Sequence, residues 1–398
     1  MFKESYLLSI NGGSSSIKFA LYKMAGKPIE QFRGEIANIG TKKAKFSSTT
    51  SIDPIKKSFP IEATDYDKAA AHLIEWLEKQ ASFLSVTAIG HRIVHGMSNT
   101  RPELISTDLI KELKKISTFD PEHLPNEIAL VELFKERYPA VKQIACFDTS
   151  FHTSMPLVAK LLAIPRRYFT MGIQRYGFHG LSYAFLMEEL KRINGDETAK
   201  GKIILAHLGS GASLAAVKDG KSIDTSMGFT PTSGLPMGTR TGDLDPGVAS
   251  YLLQHSHLGP KEFNQLINHE SGLLGISETN SDMRALIDNE DVDHRAKEAI
   301  AFFCYQTKKW VGSFSAALGG LDTLVFSGGI GEHSPEIRTK ICDGLEFLGI
   351  ELDELKNSNN EPIISKHTSI VKVHVIKTNE ELMIAKLVGN FLDVSIKE

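Results

Sequence analysis

Four polar residues occupy positions in which an enzyme could use them. Arg92 stands between two histidines at the end of an apolar stretch, and Asp148 ends the predicted strand 141–147. His179 and Arg240 each lie in a glycine-rich segment. Each has an ordinary alternative, since a strand-end arginine can pair with a carboxylate, an aspartate can cap a turn and a histidine can bond within a loop. Together they match what transfer of a phosphoryl group requires.

The carboxylates beside Arg240 have a simpler interpretation. Asp243 and Asp245 follow it in a turn-forming segment, and we expect them to hold that turn rather than a metal. The remaining histidines near these segments, His91, His95 and His152, lack the spacing of a metal site.

A Gly- and Ser-rich turn near the start, in residues 9–19, is predicted to join two strands. Its glycines let the backbone approach a ligand, and its hydroxyls, Asn11 and Lys18 suit an anion such as phosphate. A second copy of the pattern occupies residues 203–217, and each copy leads into a turn rich in Lys and Gly. The repeat predicts two related halves, although either copy alone could be an ordinary hairpin.

A third glycine-rich segment follows the apolar strand predicted at 323–326. After the glycine turn 327–332, Ser334 and Pro335 are predicted to begin a helix that Gly349 ends. A strand, a glycine turn and a helix N-terminus can form a nucleotide pocket, or simply a strand-to-helix turn. The chain has no GxxxxGK[ST] and no GxGxxG motif.

Periodicity predicts the elements that must carry these residues. Ala70, Leu73, Ile74 and Leu77 have the spacing of an amphipathic helix, and residues 126–138 form another. Strands are predicted at 86–89 and 141–147, and residues 41–60 are either short hairpin strands or a surface loop. Alternating strands and helices indicate α/β layering.

Composition limits the class of protein. The length of 398 residues predicts two domains. The net charge of −3 gives no support to a nucleic-acid or membrane partner. The 3 cysteines are scattered, which fits a reducing cytosol rather than a disulfide framework. No apolar run approaches the ~20 residues of a membrane span, so we expect a cytoplasmic protein.

A series of segments resembles, in chain order, the motifs of the acetokinase family. They are 11–18, 91–96, 147–156, 175–180, 207–213, 224–246, 327–338 and 378–385. The resemblance implies an α/β protein with two duplicated domains of the acetate and sugar kinase/Hsp70/actin (ribonuclease H-like) fold and an interdomain active-site cleft. It also implies a homodimer.

The resemblance implies which domain binds the acyl substrate and which binds the nucleotide. Residues 1–148 would form an N-terminal acyl-substrate and phosphate domain, on which a C-terminal helix of about 384–398 packs back. Residues 149–383 would form a C-terminal nucleotide-binding and dimerisation domain.

Individual roles are also implied by the resemblance. Asn11 and Glu380 would hold Mg²⁺, with Mn²⁺ as an alternative. Arg92 and Arg240 would flank the transferred phosphoryl group and the substrate carboxylate. His179 would hydrogen bond the transition-state oxygens, and Asp148 would orient the metal or the attacking group.

Further implied contacts concern the nucleotide and the acyl group. Val94 and Pro231 would wall the pocket for the acyl methyl. The implied phosphate-binding and nucleotide-binding residues are Ser14, Ser16, Lys18, His207, Gly209, Ser210, Gly211, Asp282, Met283, Arg284, Gly329, Ile330 and Gly331.

The chain departs from the family pattern at several positions. Ser210 and His333 stand where Asn is usual, and Leu124 also replaces an Asn. Gly12 replaces the usual Ala, and Met97 replaces the usual Gly. The charged residues of the implied site are all present, so these departures bear on nucleotide contacts and substrate preference rather than on the reaction class.

The resemblance implies reversible phosphoryl transfer from ATP to acetate, giving acetyl phosphate and ADP by direct in-line attack. A carboxylate is already ionised at neutral pH, so no general base is required. One alternative is a propionate or butyrate kinase with the same mechanism. Another is a non-catalytic nucleotide-binding module of the same fold, which would not need two arginines and a histidine.

Overall fold

The computed structural model describes residues 5–51, 53–97, 99–256 and 258–397. The chain divides into two compact units. Unit 1 is Met1–Ser150 together with Asn379–Glu398, and unit 2 is Phe151–Thr378. The sequence predicted the division after residue 148 and the return of the chain at about residue 384.

The elements of unit 1 before the division are mostly strands. They are β1 (Ser5–Gly12), β2 (Ser16–Ala25), β3 (Lys27–Ala37), β4 (Lys45–Thr50), β5 (Lys57–Pro60), α1 (Tyr66–Glu78), β6 (Val86–Ile93), β7 (Glu103–Leu104), α2 (Thr107–Ile116), α3 (Leu124–Arg137) and β8 (Lys142–Phe147), with a 3₁₀ turn at Ala81–Ser85.

Unit 2 is richer in helices, and the last helix of the chain belongs to unit 1. The elements are α4 (Leu157–Lys160), α5 (Arg166–Thr170), α6 (Gly180–Asn194), α7 (Asp196–Lys200), β9 (Lys202–Leu208), β10 (Ala212–Lys218), β11 (Lys221–Thr225), α8 (Pro246–His255), α9 (Pro260–His269), α10 (Gly272–Ser277), α11 (Met283–Asp288), α12 (His294–Leu318), β12 (Thr323–Ser327), α13 (Gly328–His333), α14 (Pro335–Cys342), α15 (Glu354–Ser358), β13 (Lys372–Val375) and α16 (Glu380–Lys397), with 3₁₀ turns at Ser150–Ser154 and Glu346–Leu348.

The described part of unit 1 contains an 8-stranded sheet in the order β5-β4-β3-β2-β1-β6-β8-β7. Strands β1, β6 and β8 are parallel, and β1 pairs antiparallel with β2, so that Asn11 faces Lys18. Because parallel strands end at the same side of a sheet, the carboxyl ends of β1, β6 and β8 meet there. We call this side the polar edge of unit 1.

The sheet of unit 2 repeats this arrangement. Its described strands are in the order β11-β10-β9-β12-β13, with β9, β12 and β13 parallel and β9-β10-β11 antiparallel. The segment β3-β2-β1-β6-β8 of unit 1 has the same succession of pairings. The duplication predicted from the two hairpins is therefore confirmed. The carboxyl ends of β9, β12 and β13 form the polar edge of unit 2.

Helix α16 packs on the sheet of unit 1. A Cβ atom on Gly90 of β6 would lie 2.5 Å from Ile384 Cγ2 and 2.7 Å from Val388 Cγ2. The glycine thus lets the helix approach the strand closely. The predicted C-terminal helix begins earlier than residue 384, at Glu380, and Glu398 lies outside the described residues.

The third glycine-rich segment is partly different from the prediction. Residues Gly328–His333 form a short helix, α13, instead of an open glycine turn. Gly328 adopts φ +75° to start it. At that residue a Cβ would lie 2.7 Å from the carbonyl oxygen of Leu208, so only glycine fits.

The helix that follows was predicted too long. Pro335 is its first residue, as predicted, but Ser334 makes no side-chain cap bond. The helix ends at Cys342 and not at Gly349, because Asp343 turns extended with ψ 126° and Gly344 takes φ +74°.

Other predicted elements agree with the structure. The helix at Ala70–Leu77 lies in α1, whose N-terminus is capped by the Asp65 side chain. Residues 41–60 contain the antiparallel strands β4 and β5, so the hairpin alternative is correct. Among the described residues, no helix has the length and apolar character needed to cross a membrane.

Candidate active site

Arg92 lies on β6, at the polar edge of unit 1, between two buried carboxylates. Its Nη2 donates to Asp148 Oδ2 at 2.9 Å, and its Nη1 donates to Glu127 Oε1 at 3.0 Å. Nη1 also donates to the carbonyl oxygen of Gly12 at 3.1 Å. Burial opposes the charge of Arg92, but Asp148 and Glu127 outweigh it, so the pKa of Arg92 is raised. The arginine is therefore a fixed cation.

Glu127 is the member of this cluster that sequence reasoning missed. It lies on α3, and its Oε2 accepts from the backbone N–H of Val94 at 2.8 Å. Burial raises its pKa to about 8, although Arg92 and the Val94 N–H favour the ionised form. The signal was present, because a glutamate three residues after Leu124 and one before Ile128 falls on the apolar face of the predicted helix.

A second group of charges surrounds Asn11 at the end of β1. Its Nδ2 donates to Glu380 Oε2 at 2.7 Å and to Glu381 Oε1 at 3.1 Å. Partial loss of hydration acts to lower the pKa of Lys18, but the charges of Glu381, Glu380 and Glu35 outweigh it, so the pKa is raised. Asn11 therefore contacts Glu380, the metal ligand implied by the resemblance, and also Glu381 beside it.

These residues fit a hard divalent cation. The described residues include no cluster of three or more His, Cys, Asp or Glu side chains that could hold a metal. Mg²⁺, however, is commonly bound through one or two carboxylates together with substrate phosphates. Glu380, Glu381 and the Oδ1 atom of Asn11 supply oxygen donors of that kind.

The polar edge of unit 2 is built around His179. This residue has φ +58° immediately before α6, and its Nδ1 lies 2.8 Å from Ser213 Oγ. Ser213 is also hydrogen bonded to the buried hydroxyl of Tyr183. The imidazole stacks on that of His207 with a centroid distance of 4.3 Å. Ser213 and Tyr183 were not among the predicted site residues, and they fix the orientation of His179.

Arg240 lies near the same point. A Cβ on Gly211 would lie 3.3 Å from His179 Nε2 and 3.8 Å from Arg240 Nη1, so the glycine keeps space open beside both groups. Arg240 Nη1 donates to the carbonyl oxygen of Pro231 at 3.2 Å. The structure thus brings His179, Arg240, Gly211 and Pro231 together within unit 2.

His207 and Glu332 tie the parallel strands of unit 2 together at this edge. His207 Nδ1 lies 2.8 Å from Ser182 Oγ, which lies 2.8 Å from Thr378 Oγ1. Glu332 Oε1 accepts from the backbone N–H groups of Gly328 at 3.0 Å and Thr378 at 3.1 Å. Buried glutamate and hydroxyl groups therefore replace the missing ladder bonds where β12 and β13 end.

The residues assigned to the nucleotide differ in exposure. Ser14, Lys18, Ser210, Arg284 and Gly329 are exposed. Gly209 bonds through its N–H to the carbonyl of Gly211 at 3.0 Å, which closes the turn of the second hairpin.

Two of the other residues assigned to the nucleotide make contacts within the protein. The Asp282 side chain caps α11 by accepting from Ala285 N at 3.0 Å, and Met283 is buried. Gly331 is buried and Ile330 partly so.

Arg338 holds the end of α13 and was also missed. It is fully buried, and its Nη1 donates to the carbonyl oxygen of Gly331 at 2.8 Å. Its other donors bond to Asn357 Oδ1 at 2.7 Å, to the Asn357 carbonyl at 2.8 Å and to Asn360 Oδ1 at 2.7 Å. Burial lowers the pKa of Arg338 to about 10. This cation is thus satisfied by neutral oxygens.

The aspartates near Arg240 hold the chain, as predicted. Asp243 Oδ1 accepts from Gly234 N at 2.9 Å, and Asp245 Oδ1 caps α8 by accepting from Gly247 N at 2.6 Å.

The profile of the Acetokinase family matches residues 6–386. An acetate kinase of Nitrobacter hamburgensis is 40% identical over 385 residues, which cover 96% of this chain and 94% of that protein. The crystal structure of a Porphyromonas gingivalis acetate kinase has a TM-score of 0.85 at 34% identity and covers 98% of this chain and 100% of that one. A propionate kinase from Francisella tularensis has a TM-score of 0.88 at 38% identity, covering 96% and 98%.

The family profile matches nearly the whole sequence, and the relatives are identical to this extent over nearly all of each chain. Together these matches establish the family. The chain belongs to the acetokinase family.

Proposed function

We propose that this protein is an acetate kinase, a phosphotransferase that moves the γ-phosphoryl group of ATP to the carboxylate of acetate and runs in both directions. The observation that carries the proposal is the match to the Acetokinase family across residues 6–386. The geometry of the two polar edges supports it, since each presents groups suited to one part of the reaction.

Unit 1 is proposed to supply fixed charge. Two N–H groups of Arg92, on Nε and Nη2, make no hydrogen bond to the described residues and are available to an oxyanion. Asp148 and Glu127 hold the guanidinium so that little reorganisation is needed when charge develops on the transferred group. Val94, buried at the end of β6, would wall the acyl methyl.

Unit 2 is proposed to supply hydrogen-bond donors and the phosphate-binding turn. His179, oriented by Ser213, would donate from Nε2 to an oxygen of the transferred group. Arg240 would neutralise charge, and the small residues from Gly209 to Gly211 would let phosphate approach the backbone. Asp282, Met283, Arg284 and the residues 329–331 are proposed to border the adenosine.

The family implies a divalent metal, which we propose to be Mg²⁺ held by Glu380, Glu381 and Asn11. When bound it would neutralise charge on the nucleotide phosphates. The substrate carboxylate is ionised at neutral pH, so the attacking oxygen needs no general base. We propose that the chain's task is to position the two anions and to neutralise their repulsion, with no covalent enzyme intermediate.

The experiment is to trap acyl phosphate as its hydroxamate from ATP, Mg²⁺ and each of acetate, propionate and butyrate. We expect acetate to give the highest kcat/KM, with partial activity on propionate because one methylene changes binding by only ~1–3 kcal/mol. The propionate kinase among the solved structures is the specific reason to include that acid. Preference for propionate would correct the substrate, and absence of any acyl phosphate would overturn the proposed function.

We also propose that the protein acts as a homodimer in the cytoplasm, which rests on the family resemblance. Sedimentation equilibrium of the purified chain tests the dimer, for which a mass of twice 43.8 kDa is expected. A mass of a single chain at working concentration would contradict it.

A further inference from the structure

Glu127 is a buried carboxyl group to which the proposed function gives one part, that of holding the Arg92 guanidinium. The side chain of Glu127 is 1% exposed, and its two oxygens accept from Arg92 of β6 and from the backbone N–H of Val94. Burying a carboxylate is costly unless its charge and hydrogen bonds are satisfied. Replacing a buried ion pair by apolar side chains is often neutral or stabilising. Packing alone therefore does not explain a glutamate at this position.

The two donors lie two residues apart. Arg92 Nη1 contacts Oε1 at 3.0 Å, and the backbone N–H of Val94 contacts Oε2 at 2.8 Å. The two donors belong to one short segment, Arg92 on β6 and Val94 just after the strand ends. One carboxylate therefore bridges the tip of the arginine and the backbone that carries the proposed acyl-pocket wall.

The sheet cannot hold Val94 by itself. The ladder between β6 and β8 ends at the pair Ile93 and Phe147, and the Ile93 carbonyl accepts from Asp148 N at 2.9 Å. Val94 lies one residue beyond the last pair, so its N–H has no strand partner there. Glu127 supplies the acceptor that the sheet no longer provides.

The surroundings of Glu127 are shaped to accept it. Its Cγ would lie 3.6 Å from a Cβ on Gly12, and the same Cβ would lie 2.6 Å from the Tyr66 hydroxyl. Gly12 thus leaves room for both side chains while its carbonyl accepts from Arg92. The departure from Ala at position 12 has a physical reason in this chain.

We infer, on the basis of the proposed function, that Glu127 is a positioning residue that fixes the Arg92 guanidinium and the Val94 backbone at one spacing, and thereby sets how well the enzyme separates acetate from longer acids. Arg92 would contact the anions and Val94 the acyl chain. Glu127 contacts neither the anions nor the acyl chain, and acts by holding Arg92 and Val94 in place.

The decisive variant is Glu127→Gln, which keeps the shape of the side chain. An amide has one acceptor oxygen and one NH₂ donor, so it can satisfy Arg92 or Val94 but not both. We expect the KM for acetate to rise about tenfold while the KM for ATP changes less than about twofold. The propionate-to-acetate ratio of kcat/KM should rise about fivefold, because a loosened Val94 admits another methylene.

Glu132→Gln is the matched control. It makes the same chemical change on the same helix, but Glu132 is 44% exposed and pairs with Lys114 at the surface. We expect its kinetic constants to equal those of the wild type. Glu127→Asp is the second variant, since it keeps both oxygens and withdraws them by one methylene. All kinetics are taken where circular dichroism shows the variant to be folded.

The outcomes separate this inference from the proposed function. A wild type that makes no acyl phosphate from any acid ends the proposed function and the inference with it. An active wild type with a folded Glu127→Gln variant whose acetate KM and acyl ratio are unchanged overturns the inference alone. Equal rises in both KM values, or a fall in kcat at constant ratio, also overturn it. If the Glu127→Gln variant does not fold, the propionate-to-acetate ratio of kcat/KM for Glu127→Asp decides. An unchanged ratio in that variant overturns the inference.

Discussion

The polar edge of unit 1 joins a buried arginine to carboxyl groups, whereas the polar edge of unit 2 joins histidines to hydroxyl groups through hydrogen bonds. In unit 1, Arg92 lies between Asp148 and Glu127. In unit 2, His179 bonds to Ser213, and His207 bonds to Ser182. Both edges are formed by the same succession of strand pairings.

The contrast shows that the duplicated sheet determines the positions of the functional side chains, whereas the sequence of each unit determines their chemical type. Carboxyl ends of parallel strands gather side chains in either unit. The edge of unit 1, with its arginine and carboxyl groups, suits a metal and the group that gains charge during transfer, and the edge of unit 2, with its open glycines, suits a phosphate chain. The predictions below test this division, from the largest effect to the smallest.

Replacing Arg92 or Arg240 by alanine should lower kcat/KM by about 10³-fold or more, because each is proposed to neutralise charge on the transferred group. The two variants should differ in stability. Arg92→Ala leaves two buried carboxylates without their cation and should cost ~3–5 kcal/mol of unfolding free energy. Arg240 donates to the Pro231 carbonyl and to Met237 Sδ, which are neutral acceptors, so Arg240→Ala should cost less than Arg92→Ala.

Acyl phosphate assays and urea unfolding measure both effects, with the surface variant Arg137→Ala as the control, since Arg137 is 59% exposed. Near-normal activity of both Arg92→Ala and Arg240→Ala would show the site assignment to be wrong. Equal stability costs would remove the distinction between the two edges.

Glu127 should make the stability of unit 1 depend on pH. Burial raises its pKa to about 8, with Asp120 and Asp148 adding to the rise and Arg92 opposing it, and the Tyr66 hydroxyl lies nearby. An unfolded glutamate has a pKa near ~4.3, so the folded state binds this proton more tightly. The resulting stabilisation is complete below about pH 4.3, declines as pH rises and is lost above about pH 8, at no more than ~1.4 kcal/mol per pH unit.

Urea unfolding of the wild type and of Glu127→Gln from about pH 5 to about pH 9 isolates this contribution. The unfolding free energy of the wild type, relative to the variant, should fall with pH and level off near pH 8. A difference that stays constant, or that rises with pH, would contradict the shifted pKa.

Arg338 provides a test of how much neutral oxygen acceptors stabilise a buried cation in unit 2. Its cation is satisfied by oxygens of Gly331, Asn357 and Asn360, and no carboxylate is among them. Arg338→Met should cost ~3 kcal/mol because it leaves buried acceptors unpaired. It should also raise the KM for ATP, since Gly331 lies in α13, which is proposed to border the adenosine. Thermal and urea unfolding, with Arg295→Met as an exposed control, decide the first point.

The smallest effect is expected at Gly12. Gly12→Ala should cost ~1–3 kcal/mol, because the new methyl group would lie 2.6 Å from the Tyr66 hydroxyl. Adding Tyr66→Phe removes that contact, and since this buried hydroxyl has no partner among the described residues, its loss should cost little. The double variant should therefore regain most of the stability. Additive losses in a double-mutant cycle would contradict the proposed contact.

Much of the fold could be predicted from local pattern. The hairpins at residues 9–19 and 203–217 follow from alternating apolar residues around glycine turns, and β6, β8, α1 and α3 follow from periodicity. The errors fall where tertiary contacts replaced local preference. Gly328 was predicted as part of an open turn, but its fit against Leu208 starts a helix. Leu345 was assigned to α14, although the chain turns at Asp343 and Gly344 first.

The sequence by itself determined that two glycine hairpins recur, that Arg92 and Asp148 each end a predicted strand, and that His179 and Arg240 lie in glycine-rich segments. Only the tertiary structure decided which groups meet. Asn11 bonds to Glu380, 369 residues away, and Arg92 bonds to Glu127, 35 residues away. Periodicity reports which face of an element is buried, but the partner on the opposite element depends on register and packing between distant segments, which no local pattern contains.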